Sequence, residues 1–203
     1  AIEDGIPEPS PENKRRAFAD AETECFRVGL TTVTDAGLEE YEIDIINKMH
    51  EDGDLKMRVY AMYSAADSIL NQSDLSIKTD RLNATSIKVY ADGALGSRGA
   101  ALLDDYSDDH GNSGLIITPA DSVYKWAESC YSSNLQLNVH CIGDRANRIV
   151  LDAMVKVLKE TNDRRWRIEH AQVMNEEDLS KYGDFNILPS MQPTHATSDM
   201  YWA

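Results

Sequence analysis

The chain is poorest in positive charge. Its 203 residues carry 20 Lys and Arg against 35 Asp and Glu, a formal charge of −15 at pH 7. Nucleic acid and anionic membrane surfaces attract basic proteins whatever their sequence, so this balance argues against both as partners and fits a solvated acidic surface. Cysteine is scarce. Cys25, Cys130 and Cys141 are odd in number, scattered and set in apolar patterns, which suits reduced thiols in packed positions and not a disulfide framework. No apolar run approaches membrane-spanning length and no signal peptide is visible. A G-x-G-x-x-G or Walker phosphate loop is missing, which weighs against a doubly wound open sheet that binds sugar or phosphate. The acidic stretch from Asp105 to Gly111 is no EF-hand, because His110 stands where glycine belongs and Ile116 where the bidentate glutamate belongs. An initiator methionine is lacking as well. The chain opens on Ala1 and stops at Tyr201-Trp202-Ala203 straight after a motif, so the expectation is a piece of a longer protein, cytoplasmic by default.

What the sequence does have is alternation of strands and helices. Ala1 to Pro9 reads as an irregular lead-in. Ser10 before Pro11 starts a helix, with Ala17, Ala21, Cys25 and Val28 as its apolar face and Gly29 as its end. Leu30 to Asp35 is rich in β-branched residues and reads as a strand, followed by turn chemistry at Asp35-Ala-Gly37. A helix from about Glu39 to Asp52 places Tyr41, Ile45 and Met49 four apart, and Lys56 to Tyr63 is the next strand. Ala84 to Gly93 is another, followed by a long Gly- and Asp-rich loop from Ala94 to Ile117. Thr118-Pro-Ala-Asp121 has the cap, proline and acid of a helix start, and Val123, Ala127 and Cys130 mark the buried face.

The most telling stretch is Leu137 to Asp144. Apolar strand residues run into His140, Gly143 breaks the strand, and a helix from Arg145 to Glu160 carries Ala146, Ile149, Val150, Ala153 and Val157 on one face. Trp166 to Gln172 repeats the plan with His170 at the strand end. A short helix near Glu176 to Tyr182 and a strand from Phe185 to Gln192 close the series. Six strands alternating with helices, with no hairpin signal between them, imply a parallel sheet. A (β/α)8 barrel needs ~250 residues, so the chain is one or two βα units short.

Two strand-end histidines in successive βα units, His140 and His170, are a candidate metal pair, since neutral imidazole suits zinc and similar ions. Lys88 lies in an apolar strand on the same face as Tyr90 and Asp92. Charged and unpaired it costs several kcal/mol, so it must be paired, neutral or carboxylated, and on spacing alone an ion pair with Asp92 is favoured. Asp144 is either an N-cap or catalytic. Gln192 and His195 follow the last strand, where they contact substrate or solvent. Arg167 and Glu169 alternate with Ile168 and His170, which predicts that they face the helical layer. His50 and His110 are assigned nothing.

Five motifs carry a resemblance: Gly29-Leu-Thr-Thr-Val-Thr-Asp-Ala-Gly37, Lys88-Val-Tyr-Ala-Asp-Gly-Ala-Leu-Gly-Ser-Arg-Gly-Ala100, His140-Cys-Ile-Gly-Asp-Arg-Ala146, Ile168-Glu-His-Ala-Gln172 and Ser190-Met-Gln-Pro-Thr-His195. In this order they resemble the metal-dependent amidohydrolase superfamily, and within it the amidohydrolase-3 branch of N-substituted formamide deformylase-like proteins. The resemblance implies an α/β fold, a partial (β/α)8 TIM-like barrel, with residues 1–203 as a single domain lacking the first and last strands and the flanking β-sandwich. It implies one or two divalent ions, zinc first, held by Lys88 as a carboxylated lysine with His140 and His170. Metal-activated hydroxide would then cleave a non-peptide, amide-type C–N bond of a small molecule. Asp92, Asp144, Gln192 and His195 are the further catalytic candidates. The His-x-His pair of the first strand and the aspartate of the eighth lie outside this sequence, so the alternative is a catalytically inactive remnant serving as an interaction module. Open barrel edges lead to an expectation of self-association.

Overall fold

The computed structural model describes residues 7, 9–70, 72 and 75–199. The expected irregular lead-in and the final Tyr201-Trp202-Ala203 fall almost wholly outside the described residues. The chain packs as two compact units, one formed by Ala1–Ser64 with Leu75–Thr85, the other by Ala65–Asp74 with Ser86–Ala203.

In the first unit α1 (Pro11–Arg27) starts as expected: Ser10 Oγ accepts from the Asn13 N–H at 3.2 Å, and Gly29, at φ 82°, follows the helix end. Its anticipated apolar face is not buried. No residue of α1 is buried, and Val28 is 64% exposed. Polar ties hold the helix instead. Glu22 Oε2 accepts from the backbone N–H of Lys56 and Met57 at 2.6 Å each, and Arg15 reaches Asp52 and Asp54. β1 (Thr32–Leu38) runs further than the turn read at Asp35-Ala-Gly37, because Gly37 takes up a bulge at φ 135° between Ala36 and Leu38. It pairs in parallel with β2 (Arg58–Ser64). α2 (Glu40–Asp52) turns Ile43, Ile46 and Met49 to the core, so the buried stripe is displaced from Tyr41, which is 46% exposed. β3 (Ile77–Lys78) pairs antiparallel with the start of β4 (Leu82–Tyr90), a short antiparallel contact that the turn signals did not announce.

In the second unit Ser86–Tyr90 of β4 pairs with β5 (Gln136–Cys141), β5 with β6 (Arg167–His170), and β6 with β7 (Leu188–Ser190), all in parallel. Helices follow each strand: α3 (Ala120–Ser132), α4 (Asp144–Leu158), α5 (Leu179–Asp184) behind a 3-10 turn at Glu176–Asp178, and α6 (His195–Ser198). The fold class is the one expected, an α/β fold of partial (β/α)8 type. Thr118 does not cap α3; its hydroxyl donates to the Tyr90 carbonyl at 2.7 Å, anchoring the helix start to the end of β4. The core is Val123, Trp126, Ala127 and Cys130 from α3, eight residues of α4, and Ile87, Val89, Leu137, Val139 and Ile168 from the strands. No described helix is long and apolar enough to cross a membrane.

Candidate metal centre

The site belongs to the second unit and begins with register. Lys88 pairs with Asn138 and Asn138 with Arg167; Tyr90 pairs with His140 and His140 with Glu169. Register partners on neighbouring strands share a face. One face therefore carries Lys88, Tyr90, Asn138, His140, Arg167 and Glu169, while Ile87, Val89, Leu137, Val139 and Ile168 face the helices. Arg167 and Glu169 are thus not on the helical side, as simple alternation had it. They find their partners on the face of His140: Arg167 Nη2 meets Glu169 Oε1 at 2.9 Å, and Arg167 Nε donates to Asn138 Oδ1 at 3.2 Å.

The same register sets His170 opposite Cys141, on the wrong face for a site. The backbone corrects this. His170 has φ 76° and Ala171 φ 44°, a left-handed conformation that costs about 1–2 kcal/mol per non-glycine residue. The distortion is held by Ala171 N–H to the Cys141 carbonyl at 3.0 Å and Val173 N–H to the Ile142 carbonyl at 2.9 Å. It swings the imidazole over to His140. The two rings lie 4.6 Å apart between centroids, edge to face at 71°.

His140 Nε2 sits 3.5 Å from both Asp92 Oδ1 and the Gly93 carbonyl, two acceptors, so its proton belongs on Nε2 and its lone pair on Nδ1. Burial, then the neighbouring charges of His170 and Lys88, push its pKa down to about 4, leaving a neutral ring at physiological pH. Lys88 is 3% exposed and its Nζ lies 3.6 Å from the centre of the Tyr90 ring, which is 5.6 Å from the His140 ring. Burial lowers the amine to about 8, against the opposing pull of Glu169 and Cys141.

The Lys88–Asp92 ion pair favoured by spacing does not form among the described residues. Asp92 lies past the strand end, where its carboxylate accepts from Ala101 N–H at 2.9 Å, Ile142 N–H at 3.0 Å and Gly143 N–H at 2.8 Å. It pins the long loop and the turn after β5 together. Gly143 is required here by space: a Cβ would stand 2.0 Å from the Ala101 carbonyl oxygen. Gly143, not Asp144, is the N-cap of α4. The Asp144 carboxylate accepts from Leu103 N–H at 2.8 Å, a second tie to the loop.

Gln192 and His195 do join the histidines. Gln192 Oε1 is 2.7 Å from His170 Nδ1, and the His195 ring stacks 6.1 Å from that of His170. Beside them opens a pocket of about 260 Å³ lined by Leu95, Val173, Met191, Pro193 and Ala196, with Gln172 and Asp199 hydrogen-bonded at 2.7 Å on its wall. Sequence reasoning put Tyr90 on the face of Lys88 but gave it no role as the ring under the lysine, and it overlooked Glu169 as the lysine's charged neighbour.

The family model described as "Amidohydrolase family" matches residues 1–203, the whole chain. The chain belongs to the amidohydrolase family. This family member is 33% identical over 126 residues to Protein LONG AFTER FAR-RED 3 of Arabidopsis thaliana, covering 61% of the chain and 22% of that protein. It is 32% identical over 117 residues to the putative amidohydrolase YtcJ of Bacillus subtilis, covering 58% and 22%. Among solved structures, an uncharacterized metal-dependent hydrolase from Pyrococcus furiosus superposes with a TM-score of 0.84 at 25% identity, over 96% of the chain and 41% of that protein. One from Pyrococcus horikoshii gives 0.85 at 24% identity, over 95% and 39%. The chain thus spans about a fifth of the curated relatives and two fifths of the solved ones.

The family suggests a divalent metal, and the donors present can be tested against one. Among the described residues no three His, Cys, Asp or Glu side chains gather as a cation site. The imidazoles of His140 and His170 do meet, and the charge of the Lys88 amine acts on His140. Such nitrogen donors fit a borderline first-row ion and not calcium or magnesium, which demand oxygen.

Proposed function

We propose that Lys88, His140 and His170 supply three ligands of the divalent-metal centre of a hydrolase for non-peptide, amide-type C–N bonds of small molecules, and that this chain is a central part of one barrel domain. The observation that carries the reading is the left-handed turn at His170, which spends backbone strain to bring that imidazole within 4.6 Å of His140. A structural histidine has no need of such a detour. Zinc is the ion that imidazole ligands favour, and a bound metal would polarise the scissile carbonyl and activate water. The chain's own residues do the rest. Burial keeps His140 uncharged and ready to coordinate, and lowers the Lys88 amine towards the neutral form that reacts with carbon dioxide. Asp92 and Gly93 hold His140, and Asp92 fixes the loop that carries Leu95 to the pocket. His195 and the apolar wall face the space beside His170, where the organic part of the substrate would lie. N-substituted formamides are the first substrate class to try, in line with the branch that the motifs resemble.

The test is zinc titration of the full chain by calorimetry, followed by amide hydrolysis assays. One tight equivalent, abolished in His140→Ala and His170→Ala and weakened at least tenfold in Lys88→Ala, supports the reading. Binding that survives all three substitutions, or none in the unaltered chain, overturns it. Self-association through strand edges is part of the same proposal, since β1 pairs only with β2 and β7 only with β6 among the described residues. A monomer on gel filtration at every concentration would remove it.

A further inference from the structure

The side chain of Gln192 lies between two groups that together decide which way its amide points. Its Nε2 is 3.4 Å from the Ser190 carbonyl, which can only accept, so the NH2 must face Ser190 and the oxygen must face the ring of His170. That oxygen is 2.7 Å from His170 Nδ1, a short contact that requires a proton on the ring nitrogen. An imidazole that keeps one nitrogen free for a metal carries only one proton. With Nδ1 protonated, the lone pair belongs to Nε2, on the far side of the ring from Gln192.

The placement of Gln192 follows from register. Ser190 pairs with Glu169, so two residues further along β7's path the chain passes the end of β6, where His170 and Ala171 turn left-handed. His195 cannot do the same work. Its ring lies 24° from parallel to that of His170 at 6.1 Å, presenting a face and not a hydrogen-bonding edge.

We infer that Gln192 is a positioning residue that fixes His170 as the Nδ1–H tautomer and so bares Nε2 as its metal-binding nitrogen. The inference rests on the metal reading above only for the use made of Nε2; the tautomer is a property of the chain itself. His140 is held the other way round, through Nε2, so the two histidines offer opposite nitrogens. A glutamine is suited to the task because it stays neutral: it accepts from Nδ1–H without drawing a second proton onto the ring, as a carboxylate neighbour tends to do.

The experiment reads the tautomer without metal. In the full chain labelled with 15N-histidine, long-range proton–nitrogen spectra should show His170 as Nδ1–H. Gln192→Leu should shift it to Nε2–H or to a mixture, while Gln192→Glu, which keeps an acceptor in place, should retain Nδ1–H. Zinc affinity by calorimetry should fall 10- to 100-fold in Gln192→Leu, the usual effect of losing a partner behind a metal-binding histidine, and far less in Gln192→Glu. An unchanged His170 tautomer in Gln192→Leu overturns the inference, as does an unchanged zinc affinity. If the unaltered chain shows the tautomer and its dependence on Gln192 but takes up no zinc, the metal reading fails and the tautomer assignment stands.

Discussion

Two helices of this chain were read by one rule and came out differently. Both α1 and α4 carry apolar residues at spacings of three and four, the pattern of a helix with a face to bury. α4 buries Ala146, Asn147, Val150, Leu151, Ala153, Met154, Val157 and Leu158; α1 buries nothing. The difference lies in what each helix meets. α4 follows a strand whose helix-facing residues Leu137 and Val139 are themselves fully buried. β1 offers a mostly exposed pattern in which only Leu38 is buried, and α1 is held to its unit by Glu22 and Arg15. Periodicity tells which face of a helix is apolar. Whether that face is covered depends on the neighbour, and the helix's own sequence is silent on that.

The largest effect should come from the well-covered side. Trp166 is 1% exposed, and its indole N–H donates to the Leu135 carbonyl at 3.1 Å. Trp166→Ala removes a large buried ring and leaves that carbonyl without its donor, so about 3–5 kcal/mol of stability should be lost in urea unfolding. A loss below about 1 kcal/mol would mean that the core around β5 and β6 is far looser than its burial indicates, and the contrast with α1 would collapse.

The contrast also explains which parts of the site were legible. His140 was placed correctly from its own stretch because a strand, a glycine and a helix follow one another within a few residues. The face shared by Lys88 and Tyr90 followed from alternation within a single strand. His170 lies beside His140 for a reason the pattern did not contain. In the register that forms, strict alternation keeps Glu169 on the face of Lys88 and sends His170 to the helical side; a left-handed residue, which no local composition signals for histidine, brings back the imidazole alone. The Lys88–Asp92 pair failed similarly, because three backbone N–H groups from two distant segments claimed the carboxylate first. Non-local hydrogen bonding was the part that one sequence did not reveal.

A smaller effect tests whether polar ties in the second unit act like those that hold α1. Asp178 is 4% exposed, and its carboxylate meets Arg148 Nε at 2.8 Å and Lys181 Nζ at 2.8 Å. Burial raises its pKa, but the hydrogen bonds from Lys181 and Arg148 outweigh burial and hold it below the usual carboxylate value. A carboxyl depressed in the folded state stabilises the fold above its unfolded pKa, and that contribution disappears as pH falls through the folded value. Asp178→Asn should cost about 1–2 kcal/mol near pH 7, at the lower end for a charged hydrogen bond because both partners are partly exposed. The gap between variant and unaltered chain should narrow as urea midpoints are taken from pH 5 downwards. A gap independent of pH would assign the loss to packing and not to charge.

The smallest effect belongs to the end of α1, and it sharpens the comparison most. Phe26, Val28 and Leu30 are 40%, 64% and 51% exposed, three apolar side chains close together on the poorly covered unit. If that patch faces water, Val28→Ser removes almost no buried area, and the change should stay within about 0.5 kcal/mol, as for most surface substitutions. A loss above about 1 kcal/mol that grows with protein concentration would say otherwise. Stability gained from a partner depends on how much partner is present, so a concentration-dependent cost at Val28 would mean that a second copy covers the patch. The bare helix would then be an interface, and the unequal burial of α1 and α4 would reflect what each is built to meet.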